Sequence, residues 1–126
     1  MAKDFTNWHK FKAQLDSRKR PPTFSEGEIW WCSVGVNVGV EADGKNLYFE
    51  RPILIIRKFN DEMLWALPLT SKMKKGRFYS TLEVNGVIET VMLSQIKTLS
   101  SKRLQRPIGK INRYALKKIK LAARIL

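Results

Sequence analysis

Phe49-Glu50-Arg51-Pro52-Ile53-Leu54-Ile55-Ile56-Arg57-Lys58 is the stretch on which the fold turns. From Pro52 to Lys58 it is a continuous apolar run closed by two cations, and it reads as the central strand of a core. The strand pattern continues in both directions from it. Upstream, Glu28-Ile29-Trp30-Trp31-Cys32-Ser33-Val34 is rich in β-favouring side chains and lies between Gly27 and Gly35. Downstream, Asn60-Asp61 marks a turn and Met63 to Leu69 returns as a strand. Arg77 to Val84 and Val87 to Leu93 flank Asn85-Gly86, the signature of a tight hairpin. Five or six strands at near-even spacing, with no helix between them, predict a mainly β small barrel or compact β-roll.

Both ends depart from this pattern. Phe5, Trp8, Phe11 and Leu15 recur at three- and four-residue spacing, which predicts a short helix, and the run from Ser17 to Pro22 ends it. Residues 1–25 are therefore expected to be a basic helical extension, and residues 26–104 the barrel. Residues 105–126 are expected to be a basic C-terminal helix with an apolar stripe of Ile111, Ala115, Ile119, Ala122 and Ile125, with Tyr114, Leu121 and Leu126 beside it. Residues 35–50 form a long glycine-containing segment, and a loop of that length inside a small domain suggests function.

The chain has 126 residues, 44% of them hydrophobic, enough for one modest core. Its net charge of +13 is unevenly spread. Residues 1–25 hold six basic and two acidic residues, residues 26–104 eleven and nine, and residues 105–126 seven and none. A near-neutral core with basic tails is suited to a polyanion and to salt-sensitive binding, and a solvated basic face is the plain alternative. No apolar run is long enough to cross a membrane, the first residues lack a signal peptide's apolar stretch, and Cys32 is the lone cysteine. These features predict a cytoplasmic protein without a membrane partner. No P-loop, dinucleotide fingerprint or zinc-ligand spacing is present, so no cofactor and no metal is expected.

With one histidine and no acidic cluster, any chemistry rests on arginine, hydroxyl, amide and lysine groups. Arg51 opens the central strand, Thr70-Ser71 ends the next, and Gln95 lies in Leu93-Ser94-Gln95-Ile96-Lys97-Thr98. That set suits a phosphate, because a guanidinium offers a fixed fork of donors to its oxygens. Each residue also has a structural alternative: Arg51 a strand cap or a partner of Glu50 or Glu41, Thr70-Ser71 a turn, Gln95 a backbone partner. Lys72, Lys74, Lys75 and Arg77 read either as a solvated hairpin tip or as a phosphate track. Phe49 and Tyr48, beside Arg51, are candidates for stacking on bases.

Four strings in order resemble the PemK/MazF family of toxin endoribonucleases from type II toxin–antitoxin modules. They are Gly27-Glu28-Ile29-Trp30, Arg51-Pro52, Pro68-Leu69-Thr70-Ser71, and Leu93 to Thr98 followed by Lys102-Arg103-Leu104. The resemblance spans about residues 26–104. It implies an SH3-like barrel with a terminal helix, acting as a homodimer restrained by a cognate antitoxin. The implied activity is metal-independent cleavage of single-stranded RNA to a 2′,3′-cyclic phosphate. Arg51 and Thr70 would be catalytic and Gln95 would order the site. Glu41 is the counterpart of the family's loop glutamate, and Ser71, Lys72, Lys74 and Phe49 would touch RNA. Two features depart from the family: the long loop at 35–50 and the basic tails. A non-catalytic nucleic-acid-binding module and a gyrase-directed toxin on the same barrel are the rival readings.

Overall fold

In a computed structural model, which describes residues 3–46 and 48–124, the strands curl into an antiparallel half-barrel. The chain runs α1 (Phe5–Asp16), β1 (Glu28–Ser33), β2 (Glu50–Lys58), β3 (Met63–Thr70), β4 (Tyr79–Val84), β5 (Val87–Met92) and β6 (Lys97–Ser100). A 3₁₀ turn (Ser101–Arg103), β7 (Leu104–Lys110) and α2 (Arg113–Ala122) follow. The ladder order is β4-β5-β3-β2-β1-β7. β3 changes partners along one edge, pairing with β6 through Met63–Ala66 and with β5 through Leu69 and Thr70. The outer strands β4 and β7 approach each other, and Asn85 Nδ2 donates to Ile108 O at 2.9 Å. The architecture is the mainly β, SH3-like barrel with two helices that the sequence predicts.

β2 is central because both of its faces are apolar. Leu54 and Ile56 enter one cluster with Ile29, Leu67, Leu69 and Ile119. Ile53 and Ile55 enter a second, with Phe24, Trp30, Cys32 and Leu64. Alternation along β1 buries Trp30 and leaves Trp31 half-buried. At the β4–β5 hairpin Asn85 and Gly86 both take positive φ, 51° and 79°, as a two-residue primed turn requires. Cys32 has no exposed surface, and burial pushes its thiol up to about 12.

The ends differ from the expectation in two ways. Residues 104–110 are a strand, with β7 bonded to β1, so the terminal helix begins only at Arg113. Its packing stripe is Ala115, Leu116, Ile119 and Ala123, whereas Tyr114, Leu121 and Ala122 are exposed. Ile125 and Leu126 of the expected stripe lie outside the described residues. The N-terminal helix, in turn, is docked on the barrel. Asp4 caps it by accepting from Asn7 N–H at 3.1 Å, and Trp8 and Leu15 are buried with Val36 and Phe49. Arg18 donates to Lys102 O at 2.6 Å and to Leu104 O at 2.9 Å, which fixes the far end. Among the described residues no helix is long and apolar enough to cross a membrane.

Candidate active site

Arg51 emerges at the start of β2, half-buried, where two carbonyls hold its guanidinium. Its Nε–H donates to Asp43 O at 2.6 Å and Nη1 to Leu69 O at 3.0 Å. One acceptor belongs to the 35–50 loop and the other to β3, so the side chain is locked from two sides. The remaining N–H groups have no acceptor among the described residues. Burial lowers the Arg51 pKa from its ordinary value, and the nearby Asp43 charge opposes this.

Thr70 and Ser71 reach the same place from the end of β3. With Trp31, Lys45, Glu50 and Arg51 they line a cleft of about 240 Å³. Thr70 pairs with Thr90 of β5, which fixes its backbone, and its Oγ1 accepts Lys72 N–H at 3.3 Å. An accepted bond leaves the hydroxyl proton free to be donated. The cleft therefore brings a fixed cation and a hydroxyl into one lining, together with Lys45 and the carboxylates of Glu50 and Glu89.

Glu50, which the sequence offers as a partner for Arg51, is paired with Arg106 instead. Its carboxylate is 1% exposed, takes a 2.8 Å ion pair from Arg106 Nη1, and accepts Asn46 Nδ2 at 3.1 Å. Arg106 also lies over the Trp31 ring, 5.2 Å from its centroid. Trp31 and Arg106 are cross-strand partners in the β1–β7 ladder. This network braces the cleft wall next to Arg51. The only sequence signal for it was a carboxylate adjoining the arginine.

The other expected site residues are placed as follows. Gln95 works on the loop rather than in the cleft: its Oε1 accepts Ala42 N–H at 2.7 Å and its Nε2 lies 3.5 Å from Val40 O. Glu41 is exposed near the loop tip and accepts Val38 N–H at 3.3 Å. Lys72 and Lys74 lie on the exposed turn after Ser71, outside the cleft lining, with Lys74 Nζ 5.6 Å from the Tyr79 ring centre. Phe49 corrects the expectation. It is buried, 5.4 Å from the Trp8 ring and 6.3 Å from Phe11, because helix α1 supplies the aromatic surface that a base would have used. Tyr48, its neighbour, stays 54% exposed. Lys97 is half-buried near the site, and burial, helped by Arg103 and Arg51, lowers its ammonium pKa against the pull of Glu41 and Asp43.

The loop itself is tightly built. Gly44 N–H donates to Gly35 O at 2.6 Å, and a Cβ on Gly44 would fall 1.5 Å from Phe49 O, so only glycine fits there. Asp43 is the node. Its carbonyl holds Arg51, while its carboxylate accepts Asn37 N–H at 2.7 Å and pairs with Lys3 Nζ at 3.1 Å.

A family model described as PemK-like, MazF-like toxin of type II toxin–antitoxin system matches residues 25–126. Among solved structures, MazF from Deinococcus radiodurans aligns with a TM-score of 0.63 at 21% identity, covering 83% of this chain and 94% of that one. An endoribonuclease in complex with its cognate antitoxin, from a mycobacterial species, aligns at 0.60 and 18% identity over 81% and 90%. The Mycobacterium tuberculosis toxin MazF-mt6 gives 0.53 and 17% over 82% and 95%. At such identities the likeness speaks to the fold. No curated protein matches the sequence.

Proposed function

This chain belongs to the PemK-like, MazF-like toxins of type II toxin–antitoxin systems, and from that premise we propose that it cuts single-stranded RNA internally at the Arg51–Thr70 cleft. The observation that carries the reading is the two-carbonyl lock on Arg51, which fixes a half-buried cation in a small cleft that the hydroxyl residue Thr70 also lines. In the proposed reaction the 2′-oxygen attacks the adjacent phosphorus and the bond from phosphorus to the 5′-oxygen breaks. The products are a 2′,3′-cyclic phosphate and a 5′-hydroxyl end. One proton leaves the 2′-hydroxyl and one is delivered to the departing oxygen. Arg51 supplies positive charge to the phosphoryl oxygens, a task that needs no metal. Thr70 donates to the same phosphate or orients the 2′-hydroxyl. Ser71, Lys72 and Lys74 continue the donor surface along the strand, and Gln95 and Glu41 act through the loop.

The same reading makes the protein a cytoplasmic homodimer held in check by a cognate antitoxin; the mycobacterial endoribonuclease of similar fold was solved in complex with its cognate antitoxin. The test is a mixed-sequence RNA incubated with the wild type or with Arg51→Ala in EDTA, with fragment ends mapped. Discrete cuts by the wild type alone, carrying cyclic-phosphate ends, are expected. Intact RNA that both proteins still shift on a gel would replace the enzyme with a binding module. Intact RNA together with inhibited gyrase would point to a protein-directed toxin.

A further inference from the structure

Helix α1 lies outside the family-matched residues, yet it builds a wall beside the cleft. Its residues Asn7, Lys10 and Gln14 recur at three- and four-residue spacing and therefore share one face, and Lys3, just before the helix, lines the same groove. That face looks across a groove of about 590 Å³ at Lys45 and Asn46, with Phe11 and Phe49 in its lining and with the carboxylates of Asp4 and Asp43 set against three lysines. Lys45 and Asn46 line the Arg51 cleft as well, so groove and cleft are neighbours on either side of one shared wall. The shared ridge is firm, because Lys45 and Glu50 exchange backbone hydrogen bonds at 2.7 and 2.8 Å.

From this adjacency we propose that the α1 groove is a second binding site on the same RNA strand, holding one or two nucleotides that flank the cut phosphate. The inference rests on the ribonuclease reading and extends it. Lys10 and Lys45 have no ion-pair partner among the described residues, whereas Lys3 is engaged by Asp43. Two free cations about the groove match a phosphate on the way to the cleft. The amides of Gln14 and Asn46 can meet base edges, and the Phe11 ring offers a base an apolar surface. An RNA cut internally extends on both sides of Arg51, and on this side the adjoining surface is α1. The helix that covers Phe49 thus replaces one stacking surface with a different one.

The experiment uses the full chain and an oligoribonucleotide carrying one mapped cut. A single 2′-deoxy sugar at the attacking position blocks the reaction, and the strand is trimmed stepwise from each end. For the wild type, trimming from one end only is expected to weaken binding about five- to tenfold within two nucleotides. The double variant Lys10→Gln, Gln14→Ala changes two exposed side chains. It should bind the untrimmed strand as weakly as the wild type binds the trimmed one, and be indifferent to that trimming. Its slope of log affinity against log salt should fall by roughly 0.7, one phosphate contact on a single strand. Both proteins should cut the shortest competent oligonucleotide, in unblocked form, at equal rates. Equal affinities and slopes across all lengths, with cutting intact, would overturn the groove and leave the ribonuclease reading standing. So would a variant that loses affinity only for an antitoxin. A wild type that cuts no RNA removes the ribonuclease reading and this inference together.

Discussion

Arg51 gathers information from two distant parts of the chain, since its partners Asp43 O and Leu69 O sit on the loop and on β3. Lysine there keeps the charge and loses the planar fork that makes both bonds. Arg51→Lys is therefore expected to cut kcat about 100- to 1000-fold, the worth of one preorganised donor, while thermal unfolding stays near the wild type. Unimpaired cleavage by that variant would remove Arg51 from the site. Glu50 has a different role. Glu50→Ala would strip two hydrogen bonds from a buried position and free Arg106 and Trp31, at a cost of about 1–3 kcal/mol in a denaturant titration. That Arg51 and Thr70 stand at strand ends was legible in the sequence, because polar groups at the ends of apolar runs announce themselves. Glu50 was not, because its meaning depends on Arg106, 56 positions away, and only the β1–β7 ladder brings the two together. Phe49 was misread for a related reason: its exposure depends on where α1 docks.

The helices show the same limit one level up. The spacing of Phe5, Trp8, Phe11 and Leu15 revealed a helix, but no local pattern says which surface receives it. Gly35 does, in three dimensions. It has φ +84°, and a Cβ there would fall 2.1 Å from Trp8 Cε2. Gly35→Ala should accordingly expel Trp8 and undock α1, seen as a red-shifted tryptophan emission and a lower unfolding midpoint; an unchanged spectrum would contradict the docking. β7 was hidden for a simpler reason. Gln105 to Lys110 carries two cations, a proline and a glycine, and its strand character comes from pairing with β1 rather than from propensity. At the other end α2 is tied down by Ile119 and by Lys120, whose Nζ lies 3.1 Å from Glu26 Oε1. Burial by itself would raise the Glu26 pKa, but the Lys58 N–H and Lys120 outweigh it and lower it from the ordinary carboxylate value. A depressed carboxyl pKa stabilises the fold above the unfolded value and loses that contribution as pH falls through the folded one. Glu26→Gln should thus lose stability at neutral pH and show a shallower decline than the wild type below about pH 4.5. Parallel pH–stability curves for the two proteins would count against the linkage.

At the scale of the whole molecule, charge is the least local property and was the easiest to read. Of the +13 total, residues 105–126 contribute seven cations and no anion. The structure sorts these cations. Arg106 is committed to Glu50 and Lys120 to Glu26, whereas Arg113, Lys117 and Lys118 stand exposed on α2 without an ion-pair partner among the described residues. Their field attracts a polyanion before any specific contact forms, and its strength is set by counterion release rather than by fit. Replacing these three by glutamine should lower the salt slope for long single-stranded RNA by up to about 2, at roughly 0.7 per contact. The measurement belongs in an Arg51→Ala background, so that the RNA survives the titration. The slope should fall with affinity for every sequence alike, because phosphates carry no sequence information. A slope that does not move would assign α2 to packing alone and leave the Arg51 cleft and the α1 groove as the surfaces that meet RNA.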